Sequence, residues 1–398
     1  MADFPRDDCG GTTPLAFAAT PNMDSMAREG LSGLFCPIPE PFPAGSDIGN
    51  LSVFGYNPAE TFTGRAPLEA ANQGIALNEN ELAFRCNLVT LQGDAMKDFT
   101  ADHISTEEAN EIIQSLNEAM GNESLRFSPG VSYRHLAIVT ADADHYEPFK
   151  KLSCTPPHDI IGQTYAQHFP KGDHRDAIIS LMERSQAVLA DHPLNKKRVN
   201  SGKLPATSIW LWGQGGAPSV QTYPDRFGIT GAVISAVDLV NGIGRCAGLE
   251  VISVEGATGY LDTNYEGKVA AAIDALDRHD FVYLHIEAPD EASHEGKTEL
   301  KLQAIEDFDR RVVGQCLEHA RSRGDLRIVV APDHVTALST RTHAGGPVPF
   351  ILWGHGVTSN GLLSYSEAEA AKAGVLFPDG HALVPRMIDP RPITADGN

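Results

Sequence analysis

Short apolar runs alternate with amphipathic segments through the second half of the chain. The apolar runs are predicted strands at residues 232–237, 249–254, 281–286, 327–331 and 348–353. The segments between them have helical spacing, and the longest of these segments covers residues 299–319. Strands separated by helices of about 10 to 20 residues predict crossover connections, and therefore an α/β fold with a mostly parallel sheet and helices on both faces.

The middle of the chain has a different pattern. Two strands and one helix are predicted there, at residues 82–91, 131–139 and 105–120. Ser105 and Glu108 have the spacing of a capping box at the start of that helix. We therefore expect residues 76–205 to form an inserted α+β domain, while residues 1–75 and 206–398 form the α/β core.

The charge of the chain limits its partners. The 398 residues carry a formal net charge of −21, which argues against nucleic acid or an anionic membrane surface as a partner. A small anionic substrate remains compatible, because bound metal ions or a cationic pocket can dominate the field inside a cleft. The oligomeric state is left open by the sequence.

Three further features predict a cytoplasmic protein. The six cysteines include no CxxC pair, which favours reduced thiols over a zinc ribbon or a redox motif. No run approaches the roughly 18 apolar residues of a membrane span. The residues from Met1 to Pro5 lack the basic region and the apolar core of a signal peptide.

Potential metal ligands stand beside three of the predicted strands. Asp290 and His294 follow the third strand, Asp333 and His334 follow the fourth, and His343 shortly precedes the fifth. Any one pair could be a surface or helix-capping feature. In a parallel sheet, however, groups at the carboxyl ends of the strands converge on one edge. Carboxylates mixed with imidazoles suit manganese or zinc, and two such ions would clamp a phosphoryl group.

Ser46 is a candidate nucleophile. It follows Gly45 at the start of an apolar helical segment, where a serine is most often an N-cap, and the spacing alone favours that interpretation. In the functional interpretation, the helix dipole would hold a phosphorylated serine, and metal coordination would activate the hydroxyl.

Cationic groups for an anionic substrate are also present. Arg85 is embedded among apolar residues, which is typical of an arginine with a specific anionic partner. Lys268 stands near the start of a predicted helix, where its charge opposes the helix dipole and indicates a nearby anion. Arg65, Arg134 and His158 are further candidates.

Motifs along nearly the whole chain resemble one known family. They include Thr20–Asp24, Gly45–Asp47, Thr63–Arg65, Phe84–Asn87, Ser132–His135, Asp262–Lys268, Asp290–Gly296, Pro332–His334 and Thr342–His343. The chain is similar to the archaeal-type, cofactor-independent phosphoglycerate mutases of the alkaline phosphatase superfamily. The resemblance implies an alkaline-phosphatase-like core, an inserted domain that covers the substrate, and interconversion of 3-phosphoglycerate and 2-phosphoglycerate.

The resemblance also implies roles for residues at matching positions. Ser46 would carry the phosphoryl group as phosphoserine. The site would bind two divalent ions, with manganese favoured over zinc, magnesium or cobalt. The ligands of one ion would be Asp290, His294 and His343. The ligands of the other would be Ser46, Asp333, His334 and an aspartate from the first strand. Lys268 would contact the phosphoryl oxygens, and the substrate candidates are Arg65, Arg85, Arg134 and His158.

The N-terminus departs from the family pattern. Members of the family open with an apolar strand that ends in an Asp-Gly pair, and that aspartate is a metal ligand. Here the residues from Met1 to Pro5 resemble the segment just after that pair, and Asp3 matches a later position. We therefore expect the true start to lie upstream. Without such a strand we expect weak binding of the second metal and little activity.

Other functions remain open at this point. The stretches His103–Glu108 and Ser208–Trp212 resemble a bacterial branch that has also been proposed to act as homoserine kinase. The chain has no GxxxxGK[ST] loop, so a kinase would use ATP through the same two-metal site. A metal-dependent phosphohydrolase and a non-catalytic relative are further alternatives.

Overall fold

A computed structural model describes residues 1–395. The strands are β1 (Leu31–Phe35), β2 (Glu81–Gln92), β3 (Ala95–Asp98), β4 (Leu125–Ser128), β5 (Arg134–Thr140), β6 (Ser208–Gly215), β7 (Gly231–Ile234), β8 (Glu250–Val251), β9 (Phe281–Leu284), β10 (Arg327–Val330), β11 (Val335–Ala337), β12 (Thr342–Ala344), β13 (Val348–Gly354) and β14 (Leu376–Phe377).

The helices are α1 (Pro14–Phe17), α2 (Pro21–Glu29), α3 (Ser46–Val53), α4 (Pro58–Thr61), α5 (Arg65–Asn72), α6 (Thr106–Met120), α7 (Ala143–Lys150), α8 (Arg175–Ala190), α9 (Pro193–Asn200), α10 (Tyr223–Phe227), α11 (Asp238–Cys246), α12 (Tyr265–Ala275), α13 (Ala288–His294), α14 (Thr298–Asp307), α15 (Gly314–Arg323), α16 (Glu367–Lys372) and α17 (Leu383–Ile388). No helix among the described residues is long and apolar enough to span a bilayer.

The chain forms two compact units. The first unit contains Met1–Phe62 and the described residues from Val220 onward, and the second contains Thr63–Ser219. The second unit is wider than the predicted segment 76–205. It includes β6 because β6 pairs antiparallel with β2, which is the central strand of that unit's sheet.

The first unit has the α/β architecture that the apolar runs predict. The strands β8, β7 and β9 form a parallel sheet in that order. A second sheet has the order β10-β13-β1-β14, in which β13 runs antiparallel to both of its neighbours and β1 runs parallel to β14. The predicted helix at 299–319 is present as α14 and α15, joined by a π-helical turn at Phe308–Val313.

A cavity of about 630 Å³ is lined by both β9 and β10. Within the described residues, β9 is an edge strand of the sheet β8-β7-β9, and β10 is an edge strand of the sheet β10-β13-β1-β14. Apolar side chains such as Val312 and Val329 line much of the cavity, while Asn50 and Asp333 contribute polar groups. Met1 also lines it, and burial, together with the charge of Lys301, lowers the pKa of its α-amino group to about 6.

The second unit is an antiparallel sheet of order β3-β2-β5-β4, with β6 on β2, and α6 and α8 contribute to its apolar core. The capping box predicted for α6 is present. The Ser105 hydroxyl accepts a hydrogen bond from the Glu108 amide at 3.2 Å, and the Glu108 carboxylate accepts one from the Ser105 amide at 3.4 Å. Both bonds satisfy amides that the first helical turn leaves without intrahelical partners.

Candidate active site

The predicted ligands of the first unit converge, although for a different reason than the sequence suggested. Asp290 and His294 lie one helical turn apart on α13, just after β9, and Asp333 and His334 follow β10. His343 lies on β12, before β13. In a parallel sheet that position would be at the opposite edge. Because β13 runs antiparallel to β10, its start lies beside the carboxyl end of β10 and brings His343 to the site.

Three of these side chains form a tight set of donor atoms. His294 Nε2 lies 3.1 Å from Asp290 Oδ2 and 3.0 Å from His343 Nε2, and His343 Nε2 lies 3.5 Å from Asp290 Oδ1. Tetrahedral ligands at about 2.1 Å from one ion are themselves about 3.4 Å apart. His294 Nδ1 lies 2.9 Å from the carbonyl oxygen of Arg341, which can only accept a hydrogen bond. Nδ1 therefore carries a proton, and in the neutral form of the ring the Nε2 lone pair can point at a metal.

A second set adjoins the first. The Ser46 hydroxyl lies 3.0 Å from His334 Nε2, and that nitrogen lies 3.4 Å from Asp333 Oδ2. Donor atoms of Asp290, His334 and His343 all lie within 4.8 Å of one another, so the two sets share one polar cluster. The donor atoms in both sets fit divalent metal ions that accept carboxylate and imidazole ligands.

The residue at which α3 begins tests whether Ser46 is the N-cap of that helix. Gly45 occupies the N-cap position without a side-chain hydrogen bond, and Ser46 is the first helical residue. The serine hydroxyl faces His334 instead of capping the helix. The N-cap interpretation, which spacing alone favoured, is therefore wrong.

The charges within the cluster shift two pKa values strongly. Burial opposes ionisation of Asp290, but hydrogen bonds from His294 and His343 and the nearby positive charges hold its pKa well below the usual range. The hydrogen bond to Asp290 raises the pKa of His294 to about 9, although burial opposes this. The cluster thus stabilises the ionised carboxylate of Asp290, which is the form that binds metal, and a metal ion at His294 would displace the proton that Asp290 holds on Nε2.

Lys268 lies in the first turns of α12 and is buried. Its Nζ donates long hydrogen bonds to the carbonyl oxygens of Thr258, at 3.4 Å, and His285, at 3.5 Å. Burial lowers the pKa of Lys268 to about 8, and the charge of Glu287 partly opposes this. Within residues 1–395, no carboxylate oxygen lies within 4.0 Å of this ammonium group.

The four substrate candidates all lie in the second unit, and two of them, Arg85 and His158, contact Trp212. The Arg85 guanidinium stacks 4.1 Å from the Trp212 ring centroid, and the His158 ring lies edge-on at 5.5 Å. Burial lowers the pKa of Arg85 to about 10; Glu69 opposes this shift, and the charges of Arg65 and Arg134 add to it. Positive charge is therefore concentrated here.

Sequence reasoning missed two residues that support these groups, Glu69 and Asn50. Glu69 pairs with both Arg65, at 3.2 Å, and Arg85, at 3.0 Å. Asn50 donates hydrogen bonds to the carbonyl oxygen of Ser46 at 2.9 Å and to Asp333 Oδ2 at 2.7 Å. Helical spacing could have identified both residues, because Asn50 follows Ser46 by four positions and Glu69 follows Arg65 by four.

Comparisons with known proteins agree with this geometry. A family model described as 2,3-bisphosphoglycerate-independent phosphoglycerate mutase matches residues 27–195. A Geobacter sulfurreducens protein named as a probable mutase of this type is 50% identical, covering 98% of this chain and 97% of the relative. The mutase of Methanosarcina acetivorans is 48% identical, covering 94% of this chain and 93% of the relative. None of these names points to a kinase.

Two solved structures share the fold. A Pyrococcus horikoshii protein matches with a TM-score of 0.82 and 32% identity, over 98% of this chain and 94% of that chain. The cofactor-independent phosphoglycerate mutase of Thermoplasma acidophilum matches with a TM-score of 0.63 and 26% identity, over 97% of this chain and 95% of that chain. The family is metal-dependent, and its reaction implies a small phosphorylated substrate. The chain belongs to the 2,3-bisphosphoglycerate-independent phosphoglycerate mutases.

Proposed function

We propose that this protein interconverts 3-phosphoglycerate and 2-phosphoglycerate through a phosphoserine at Ser46. One observation carries the proposal: the Ser46 hydroxyl lies 3.0 Å from His334 Nε2, at the edge of the Asp290 cluster, and does not cap its own helix. A serine in this position can receive a phosphoryl group where charge neutralisation is available.

The site would hold two divalent metal ions, and manganese suits its mixture of carboxylates and imidazoles. The ligand sets are Asp290, His294 and His343 for one ion, and Ser46, Asp333 and His334 for the other. When bound, the ions would lower the pKa of the serine hydroxyl and neutralise charge on the transferring group.

The transfer can be written with the groups of this chain. Ser46 Oγ forms a bond to phosphorus, the bond from phosphorus to the 3-oxygen of the substrate breaks, and that oxygen gains a proton as the serine loses one. The glycerate then presents its 2-hydroxyl, which takes the phosphoryl group back and returns a proton to Ser46. Lys268, which has no carboxylate oxygen within 4.0 Å of its ammonium group among residues 1–395, would stabilise the negative charge of the phosphoryl oxygens.

The second unit would bind the substrate carboxylate and exclude water. In its cluster of Arg65, Arg85, Arg134 and His158, Glu69 pairs with both Arg65 and Arg85, and Asp159 lies 3.7 Å from His158. An arginine with a planar fork can bind a carboxylate with two hydrogen bonds. Exclusion of water matters because water would otherwise hydrolyse the phosphoserine.

A two-substrate assay tests the proposal. Purified protein with manganese is incubated with 3-phosphoglycerate in one arm, and with ATP and homoserine in the other. We expect 2-phosphoglycerate in the first arm and no phosphohomoserine in the second. The reverse result would establish the kinase instead, and release of inorganic phosphate alone would establish a hydrolase.

Ser46→Ala tests the nucleophile, with Ser322→Ala, an exposed serine on α15, as the matched control. We expect Ser46→Ala to abolish transfer while metal binding at Asp290, His294 and His343 is retained. Mutase activity that survives this substitution would refute the phosphoserine assignment.

A further inference from the structure

The hydroxyl of Thr336 lies between two of the proposed metal ligands. Thr336 lies on β11 and is 1% exposed. Its Oγ1 makes a hydrogen bond with the Asp290 carboxylate and lies 3.1 Å from Nδ1 of His334. One buried hydroxyl therefore contacts a ligand from each of the two sets.

The direction of these two hydrogen bonds follows from the single proton of the hydroxyl. An ionised carboxylate can only accept, so the Thr336 proton is directed to Asp290. Oγ1 must then accept from His334, which requires the proton of the imidazole to be on Nδ1. The Nε2 lone pair of His334 is left for the side where Ser46 Oγ lies at 3.0 Å and Asp333 Oδ2 at 3.4 Å.

We propose that Thr336 is a positioning residue that fixes the tautomer of His334 and the orientation of Asp290, so that both present metal-binding lone pairs. Thr336 does not touch the reacting atoms. Its role parallels that of the Arg341 carbonyl oxygen, which fixes the tautomer of His294. Partners of this kind preserve both the ring orientation and the basicity of a ligating histidine.

The backbone of Thr336 is itself held by a buried ion pair. Lys301 Nζ donates to the carbonyl oxygen of Thr336 at 2.7 Å and to Asp3 Oδ2 at 2.8 Å, and both charged side chains are at most 1% exposed. The amide of Thr336 donates to the carbonyl oxygen of Ala2 at 3.2 Å, and the amide of Leu338 donates to Asp3 Oδ2 at 3.1 Å. These contacts limit movement of the hydroxyl away from the two ligands.

The test combines nuclear magnetic resonance with metal titration. Nitrogen-15 shifts of histidine in the metal-depleted wild-type protein, at alkaline pH, should show His334 protonated on Nδ1. Thr336→Val removes the hydroxyl with little change of shape and should release that preference. Thr336→Ser keeps the hydroxyl and should retain it. Circular dichroism confirms that each variant is folded, and Thr336→Ala serves as a second, smaller variant without a hydroxyl.

Calorimetric titration with manganese gives a second readout. We expect Thr336→Val and Thr336→Ala to weaken binding about 10- to 100-fold, and Thr336→Ser to stay within about threefold of wild type. Wild-type His334 protonated on Nε2, or unchanged affinity in both variants that lack the hydroxyl, would overturn the inference. The inference rests on the metal assignment made above, but the tautomer is measured without metal or substrate. A failed mutase assay therefore leaves the tautomer result standing.

Discussion

The α3 backbone at Gly49 lies directly against the carbonyl oxygen of Asp333. A Cβ on Gly49 would come within 2.3 Å of that oxygen, closer than any real Cβ contact. The absence of a side chain at this position lets the start of α3 approach the loop after β10. That approach places Ser46 beside His334.

Substitution of Gly49 should therefore damage both stability and the site. We expect Gly49→Ala to lower the free energy of unfolding by about 1 to 3 kcal/mol and to reduce kcat, because α3 must move away from Asp333. Urea unfolding and steady-state kinetics measure the two effects. Gly345→Ala is the control, because a Cβ there meets no atom within 4 Å. Equal behaviour of the two variants would show that the close approach is unimportant.

Lys268 should set the alkaline limit of activity. Its pKa is lowered to about 8 by burial, so the ammonium loses its charge as pH rises through that value. If the positive charge of Lys268 stabilises the phosphoryl oxygens, kcat/KM should fall above about pH 8. In Lys268→Arg the guanidinium stays charged, and the alkaline fall in kcat/KM should move to higher pH. An unmoved alkaline limb in a folded variant would remove Lys268 from the reaction.

Removal of only one partner of the buried ion pair between Lys301 and Asp3 should destabilise the folded protein. We expect Lys301→Met to lower the free energy of unfolding by about 3 to 5 kcal/mol, because it leaves the Asp3 carboxylate buried without a partner. Adding Asp3→Asn should recover part of that loss. Urea unfolding measures both variants. Lys196→Met, which breaks an exposed pair with Asp191, should change the same quantity by less than about 1 kcal/mol.

Much of the fold follows from local patterns in the sequence. The capping box at Ser105 and Glu108 and the continuous apolar strands of the first unit need only neighbouring residues to be recognised. Strand direction is different, because it depends on partners distant in the chain. The antiparallel β13 and the membership of β6 in the second unit could not be inferred from periodicity.

The candidate site divides in a similar way. Residue types and positions after β9 and β10 predicted that the side chains of Asp290, His294, Asp333 and His334 would lie close together. His343 joins them only because β13 runs antiparallel to β10, which the sequence pattern did not indicate. Short-range spacing could not distinguish Ser46 as a cap from Ser46 as a reacting group, because the difference is a one-residue shift of the helix start. The positioning role proposed for Thr336 could not be predicted from the sequence, because it depends on the direction of one hydroxyl proton in the folded site.

The glycine at the N-cap of α3 has a consequence for the reaction cycle. In the resting protein the first turn of α3 has no side-chain oxygen from Gly45 to cap it. A phosphoryl group on Ser46 would bring oxygens and negative charge to that same turn, where amide groups and the helix dipole favour them. If Ser46 carries the phosphoryl group as proposed, the helix would be held more firmly in the covalent intermediate than before or after it, and each turnover would order and then release the first turn of α3.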